Sequence, residues 1–269
     1  MSNILVSLFG TYLHGSADYT VWDWVNAYSS SNPHMVSNLL IAALTFAVGF
    51  AEYFYSTYFC IKHKDGPFPV FMHTFYWAHD FMAGFVFLAC DVMVGGFWLF
   101  KAAAVAQFVF VGLETFCLHK EVTEQRAQIW GPGATKAQAI ESIVVQVVVI
   151  FFLVNLFRYF FYDVGMLKWY AFSNILMAIV PGMYWKTKKT RKGTNMGLAL
   201  VILFGTINTF QPASLWTNTT DYFTTANNPW FTATGIVAIL LAAYGVYNCW
   251  KLPKDETVTK TKSPKEVPE

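Results

Sequence analysis

Two carboxylic acids stand inside long apolar stretches of this chain, where acidic side chains are uncommon. Asp80 follows His79 in the stretch FYWAHDFMAG, and Glu52 lies in the apolar stretch before it. An acid in the middle of a membrane-spanning helix costs roughly 2.5–3.5 kcal/mol on insertion scales and is by default a functional candidate. Burial also favours the protonated form of a carboxyl group. The pair therefore predicts proton-transfer chemistry, with Asp80 and Glu52 as its catalytic residues.

Aromatic and histidine side chains accompany both acids at helical spacing. Positions 73, 76, 77, 80 and 84 share one helix face, and this face places three side chains beside Asp80: His73, Tyr76 and Trp77. His79 lies on the adjoining flank, and Tyr55 shares a face with Glu52. Aromatic ring faces attract cations, so these five residues form the predicted substrate-binding set. Ordinary helix packing and interfacial aromatic belts are the alternative explanation of such rows.

The composition of the chain indicates what surrounds these residues. Hydrophobic residues make up 55% of the chain and charged residues 13%, against roughly 25% charged residues in soluble domains. The charges cluster between apolar segments near the length that a spanning helix needs, roughly 17 to 25 residues. The sequence therefore predicts an all-α integral membrane protein with a bundle of seven transmembrane helices. The predicted spans are Val36 to Cys60, Phe68 to Cys90, Phe97 to Leu118, Ala139 to Phe161, Lys168 to Trp185, Asn195 to Phe210 and Phe231 to Trp250.

Basic residues predict the orientation of this bundle, because Lys and Arg accumulate in short cytoplasmic loops. Fifteen of the eighteen Lys and Arg residues follow the first, third, fifth or seventh span. The amino terminus is therefore expected outside or in the lumen, and the carboxyl terminus in the cytoplasm. We expect an outer segment at 1–35 that lies in the interface, the membrane domain at 36–250 and a disordered cytoplasmic tail at 251–269.

The two acids are expected at comparable depth in neighbouring helices. At about 1.5 Å per helical residue, Asp80 lies about 18 Å from the cytoplasmic start of the second span, and Glu52 about 12 Å from the cytoplasmic end of the first. A short loop joins these two spans. Both side chains are therefore predicted to face one cavity within the bundle.

The remaining polar residues of the spans favour structural roles. Glu114 and Glu141 lie within about one turn of cytoplasmic helix ends, where a carboxylate reaches water or lipid headgroups. Hydrogen bonds between helices are the expected role of five amides: Gln107, Gln146, Asn155, Asn174 and Asn208. His73 and His79 are six residues apart and point to different helix faces, so the sequence predicts no metal site.

Several segments resemble a known family of enzymes. The stretch AEYFYSTYFCIKHKDGPFP is followed by FMHTFYWAHDFMAG and then by FWLF at the start of the third span. Further on, NILMAIVPGMYWKTKKTRKGTNMGLALVILFGT ends in Gly205 and Thr206, and AAYG lies in the last span. This arrangement is similar to that of the small seven-helix membrane-bound terpene cyclases of fungal and bacterial meroterpenoid pathways, including the indole-terpene type.

The resemblance implies an acid-initiated cyclisation of an isoprenoid. The acid of the family's second helix falls on Asp80, and such a carboxyl takes part in protonating a terminal epoxide of a prenyl chain. Three positions depart from the family pattern. His79 replaces a Trp, Glu52 replaces an Asn, and Leu241 stands where the family has a second acid in its last helix. Glu52 would then supply the missing carboxyl group from another helix.

The sequence therefore favours a cofactor-free, membrane-embedded acid–base enzyme. Asp80 would donate the proton, Glu52 would be its partner or the terminal base, and His73 or His79 would set their protonation. The expected partners are a hydrophobic isoprenoid or meroterpenoid substrate and the lipid bilayer, with no nucleic acid. Alternatives are an epoxide hydrolase or isomerase using the same site, and a proton-coupled transporter or seven-helix sensor. The host membrane would be the endoplasmic reticulum in a eukaryote and the plasma membrane in a bacterium.

Overall fold

The computed structural model describes residues 4–6 and 18–254, which form helices and turns and contain no β-strand. A π-helical turn at Glu121–Gln125 and a 3-10 turn at Asp221–Phe223 interrupt the α-helices. Most of the predicted tail, residues 255–269, lies outside the described part, as do residues 1–3 and 7–17 of the predicted outer segment. The α-helices are Val21–Tyr28 (α1), Met35–Lys62 (α2), Val70–Met93 (α3), Trp98–Lys120 (α4), Arg126–Trp130 (α5), Lys136–Phe160 (α6), Leu167–Trp185 (α7), Met196–Phe210 (α8), Leu215–Thr219 (α9) and Pro229–Lys251 (α10).

Five helical segments of the described chain are long and apolar enough to cross a membrane. Each of the seven predicted spans falls on one long helix, and their ends differ from the predicted ends by a few residues. The five that meet both conditions are Met35–Lys62, Trp98–Trp130, Lys136–Phe160, Met196–Thr219 and Pro229–Lys251. The described part of the chain is thus all-helical, and its apolar helices indicate an integral membrane protein.

The two long helices outside that group, α3 and α7, bury a large part of their surface against other helices. Fifteen of the 24 residues of α3 are buried, and α7 also buries about half of its length. A helix that neighbouring helices shield from lipid has no need of a uniformly apolar surface. Their lower hydropathy is therefore a consequence of their place inside the bundle.

The outermost helix shows the opposite pattern. Only three of the 25 residues of α6 are buried, and α6 is one of the five apolar helical segments named above. Large apolar side chains such as Val144, Val148 and Phe152 point away from the protein. A surface of this kind is stable in contact with lipid chains and unstable in contact with water. The face of α6 therefore indicates a lipid environment.

The long helices pack in a closed arrangement around an interior space. α3 packs against α4 and α6, and α2 packs against α4 and α8. α10 packs against both α7 and α8. The first helix, α1, lies against α2 and α9 with Trp24 and Tyr28 buried. This part of the predicted outer segment is therefore integrated into the bundle.

A close backbone contact joins α7 and α10. A Cβ atom on Gly182 would lie 2.5 Å from the Cα atom of Gly245, and the Asn248 side-chain amide donates a hydrogen bond of 3.0 Å to the Gly182 carbonyl. Small residues at helix crossings let backbones approach in this way. The two glycines therefore hold these helices at short range.

We expect Gly182→Ala to destabilise the protein, because its new methyl group meets backbone atoms that have no rotamer to change. Overpacking of this kind costs typically about 1–3 kcal/mol, measurable as a lower unfolding temperature in detergent micelles. Gly112→Ala is the matched control, since nothing lies within 4 Å of its Cβ position. Equal unfolding temperatures of the two variants would contradict the contact.

Candidate functional site

An internal cavity of about 100 Å³ lies among five long helices. Its walls come from α2, α3, α4, α7 and α8, and Trp24, Leu215 and Trp216 line it from α1 and α9. α6 and α10 contribute no lining residue. Both acids singled out in the sequence, Glu52 and Asp80, line this cavity. The structure therefore brings the two carboxyl groups to one space, as their depth and helix faces predicted.

Asp80 is held by two hydrogen bonds from neighbouring side chains. The Tyr53 hydroxyl on α2 donates to Asp80 Oδ2, and His79 Nδ1 lies 2.9 Å from Asp80 Oδ1. The contact from Tyr53 bridges α2 and α3 across the cavity edge. Donors to a carboxylate stabilise its charged form. The two contacts also fix the position of the Asp80 carboxyl group at the edge of the cavity.

Glu52 has a different environment although it lines the same cavity. It is buried on α2, and in the described residues it takes part in no hydrogen bond or ion pair. Gly205 on α8 makes room for it, since a Cβ atom there would lie 3.4 Å from Glu52 Oε1 and 2.7 Å from Val48 Cγ1. A buried carboxylate without donors is expensive. Glu52 is therefore a group available to a ligand or a proton.

Four more polar atoms on the cavity wall have no hydrogen-bond partner in the part of the chain that the structure describes. They belong to side chains from four helices: Trp24 Nε1, His79 Nε2, Gln107 Oε1 and Tyr170 Oη. Buried polar atoms in native proteins are nearly always satisfied by protein, water or ligand. The convergence of these atoms on one space indicates that the cavity receives molecules with polar groups.

Aromatic rings form much of the remaining wall. Tyr53 stacks on Phe110, with ring centroids 4.4 Å apart and planes within 6°, and it meets Tyr76 edge to face at 6.3 Å. The Tyr76 hydroxyl donates to the Ser173 carbonyl over 2.7 Å, which fixes the orientation of its ring. Rings held in this way give the cavity an aromatic lining, and aromatic rings attract positive charge.

The predicted substrate-binding residues divide into two groups. Tyr76 and His79 line the cavity. Trp77, Tyr55 and His73 do not. The indole of Trp77 donates to Thr115 on α4 over 2.9 Å, because a residue one position after Tyr76 points to the α4 side of α3. Tyr55 lies against the start of α8 near Gly197.

His73 departs from the prediction in another way. Its Nδ1 lies 2.5 Å from Glu114 Oε2, and both side chains are fully buried. Glu114 therefore does not reach water or headgroups as expected from its place near a helix end. One turn of helix is enough to hide a short acidic side chain when a neighbouring helix presents a basic partner. His73 belongs to a separate cluster beneath the cavity.

Other lining residues had weak or no sequence signals. Tyr53 directly follows Glu52 in the sequence. Helical spacing from Glu52 instead favoured Tyr55 as the aromatic residue of the substrate-binding set. Gln107 and Asn208 were expected to form hydrogen bonds between helices, and Asn208 does donate to Thr45 on α2 over 2.9 Å. Both also line the cavity. Tyr170 carries no signal, because its role depends on the rotation of α7, which the apolar pattern of that helix leaves undefined.

Comparisons with known proteins do not identify a family for this chain. No protein-family model, no curated protein and no solved structure matches this chain. The similarity of its segments to membrane-bound terpene cyclases therefore stays a resemblance. What the described residues define is a helical membrane protein with an aromatic cavity that two acids share.

The environment of Glu52 predicts an unusual response to substitution. Glu52→Leu removes a buried carboxyl group that has no protein partner, so the unfolding temperature in detergent should rise, by an amount equivalent to about 1–3 kcal/mol. Asp80→Leu is the control at the same cavity. It leaves the Tyr53 hydroxyl without its acceptor, so the unfolding temperature should fall. A lower stability of Glu52→Leu would show that Glu52 has a structural partner.

Proposed function

We propose that this protein is a membrane-embedded acid–base enzyme that protonates a hydrophobic isoprenoid substrate and cyclises it. The observation that carries the proposal is the pair of unlike acids at one aromatic cavity. Asp80 has hydrogen-bond donors, whereas Glu52 has none among the described residues. Groups with contrasting environments in one site are typical of separate acid and base roles.

The proposed reaction begins with transfer of a proton from Asp80 to an epoxide oxygen or an alkene carbon of the substrate. For an epoxide, the C–O bond breaks and the carbon becomes electron-deficient, and successive double bonds then donate their π electrons to close rings. Tyr53 and His79 stabilise the Asp80 carboxylate that remains. Glu52 removes a proton from the last cation, and that C–H electron pair becomes a double bond. The product is an isomer of the substrate.

The walls of the cavity fit the cations of such a reaction. Tyr53, Tyr76 and Phe110 surround the acids with π-faces. Each such contact stabilises a cation by about 0.5–2 kcal/mol, with the larger values in desolvated sites. Lipid-facing helices keep bulk water away from intermediates that water would capture. The aromatic wall and the surrounding apolar helices thus support cyclisation over simple hydration.

A groove between α2 and α8 supports entry of the substrate from the bilayer. At about 100 Å³ the cavity is smaller than the roughly 300–1,000 Å³ typical of ligand sites, so it has to open for a prenyl chain. The groove is apolar, and Val48 lines both it and the cavity. Beside Val48, Gly205 provides no side chain. This thin part of the wall is the proposed entrance for the apolar chain.

A second candidate function keeps the site and changes the product. The unpartnered atoms of His79, Gln107 and Tyr170 would hold a water molecule in the cavity. Water held beside an opened epoxide would attack the cation and give a diol. Epoxide hydrolysis is therefore the alternative that the geometry favours most, and the mass of the product separates it from cyclisation.

Seven membrane spans are part of the same proposal, with the amino terminus outside or lumenal and the carboxyl terminus cytoplasmic. α3 and α7 support this count, because both lie among apolar spans and supply the cavity wall. The basic loop between α7 and α8 supports the orientation. The host membrane would be the endoplasmic reticulum in a eukaryote and the plasma membrane in a bacterium.

Labelling of introduced cysteines tests this topology, because the four native cysteines are all buried. Asn227 and Lys189 are exposed on the two loops that flank α8 and α9. A membrane-impermeant maleimide added outside intact cells, or outside sealed lumenal-side-out vesicles, should label Asn227→Cys and leave Lys189→Cys unlabelled until the membrane is opened. The reverse result would contradict the orientation. Labelling of both from one side would contradict the number of spans.

Loss of either acid should strongly reduce turnover of prenylated aromatic epoxides. Asp80→Asn keeps the size of the side chain but cannot donate the proton, so the rate should fall at least about 100-fold, the lower limit typical of a general acid. Glu52→Gln should be similarly severe if Glu52 is the base. Glu141→Gln, on the exposed face of α6, is the matched control. Full activity of Asp80→Asn would contradict the proposed acid.

The position of Leu241 predicts the outcome of a rescue experiment. Leu241 lies on α10, which contributes no side chain to the cavity wall. We therefore expect Leu241→Asp to leave the Glu52→Gln protein inactive, as judged by the same product assay. Recovery of activity would show that α10 approaches the substrate and that the family's second acid position is retained here.

A further inference from the structure

A second cluster of buried ionisable groups lies beside the cavity, toward the end of the bundle where α2, α4 and α7 end. Its three members are His73 on α3, Glu114 on α4 and Glu121 at the start of the π-helical turn. Their exposed fractions are 0%, 3% and 1%. Three ionisable side chains without solvent are costly, and the proposed reaction uses none of them directly.

The imidazole of His73 links the two glutamates through its two ring nitrogens. Nδ1 lies 2.5 Å from Glu114 Oε2, and Nε2 lies 3.8 Å from Glu121 Oε1. Nε2 has no hydrogen-bond partner among the described residues, and neither has Glu121 Oε2. A distance of 3.8 Å is too long for a hydrogen bond but short enough for a small side-chain movement or one water to bridge. An imidazole in this position accepts a proton on one nitrogen and releases one from the other.

Glu121 connects this cluster to a polar pocket at the loop end of the bundle. The pocket has a volume of about 470 Å³, and Glu121, Gln125, Asp65 and Lys188 are on its wall. In the proposed topology it opens to the cytoplasm. The π-helical turn begins at Glu121, and such turns are frequent at functional sites because they re-aim side chains. Here the turn directs a buried carboxyl group between water and His73.

Glu114 connects the cluster to the acid of the cavity. His73, Tyr76 and Asp80 follow one face of α3, over about 10 Å at 1.5 Å per residue. Glu114 lies one turn after Phe110 on the same face of α4, and Phe110 stacks on Tyr53 with ring centroids 4.4 Å apart. The Tyr53 hydroxyl in turn donates to Asp80, so Tyr53 is the side chain that the path uses between the level of Glu114 and Asp80.

A bound metal ion explains this geometry less well. His73, Glu114 and Cys117 have potential ligand atoms within 4.8 Å of one another. Two ligands of one tetrahedral ion, each at about 2.0–2.2 Å from it, lie about 3.4 Å apart. The contact of 2.5 Å between His73 and Glu114 is shorter than this, so the two side chains are in direct hydrogen-bond contact. Proton transfer is the chemistry that such a bond supports.

We propose that Glu121, His73, Glu114 and Tyr53 form a proton path that returns a proton from the cytoplasmic-side pocket to Asp80. Each step moves one proton between oxygen and nitrogen atoms and changes no other bond. The proposal rests on the acid role of Asp80, because each turnover leaves Asp80 ionised and Glu52 protonated. The path returns a proton to Asp80 from water at the polar pocket, and Glu52 gives up its proton to water when the cavity opens for the product to leave, so each turnover takes up one proton and releases one.

The rate at which Asp80 gains a proton tests the path without any substrate. After a rapid drop in pH, stopped-flow infrared spectroscopy of the full-length protein in detergent follows the carboxylic acid band that Asp80→Asn lacks. His73→Gln keeps a hydrogen-bonding side chain near Glu114 but cannot relay protons. We expect His73→Gln and Glu121→Gln each to slow the rise of the band at least about tenfold, and Glu141→Gln to leave the rate unchanged.

Two further measurements support this test. Glu121→Gln tests the path if His73→Gln does not fold. In D₂O, the carboxylic acid band of the unmodified protein should rise more slowly than in H₂O. Unchanged rates in the folded variants, or an equal rate in D₂O, would overturn the path. If products still form while those rates are unchanged, the proton path is wrong and the proposed enzymatic function stands. If His73→Gln slows the rise of the band but no isoprenoid is converted, the enzymatic function is wrong and the proton path stands.

Discussion

A polar group inside this bundle has to find its partner within the protein, because lipid supplies none. The hydrogen bond from Tyr53 to Asp80 is the clearest result of that constraint. It lets α3 carry an acid at mid-helix and joins α3 to α2 at the edge of the cavity. It also explains why α3 is the most buried long helix, since the acid and the histidines on it have to face other helices.

The exceptions to this constraint are concentrated in two places. Glu52 and four polar atoms face the cavity without partners, and His73 Nε2 and Glu121 Oε2 do so below it. Violations of local rules tend to mark functional positions in proteins that are otherwise well satisfied. Acidic, imidazole and phenol groups lie at both places, one beside the polar pocket at the loops and the other at the aromatic cavity. We interpret the unsatisfied groups as the positions where protons and substrate bind.

The sequence predicted those features that depend on composition and on one helix at a time. Apolar length located all the long helices, and the isolated acids identified Glu52 and Asp80. The rotation of one helix against another is set by side-chain packing, so the sequence alone did not show that Trp77 and Tyr55 lie away from the cavity wall. The partner of His73 was missed for the same reason, because Glu114 is 41 positions away. Tyr170 and Trp24 line the cavity because of how α7 and α1 pack in the folded protein, which their sequence positions do not indicate.

The central claim, that the cavity cyclises an isoprenoid by proton transfer, is tested most directly by the mass of a product. Membranes containing the protein would be incubated with prenylated aromatic epoxides and with their alkene precursors. Because the reaction takes up one proton and releases one, the account predicts a ring-containing product of the same mass as its substrate. A product heavier by one water would identify a hydrolase, and no conversion of either substrate would contradict the enzymatic account.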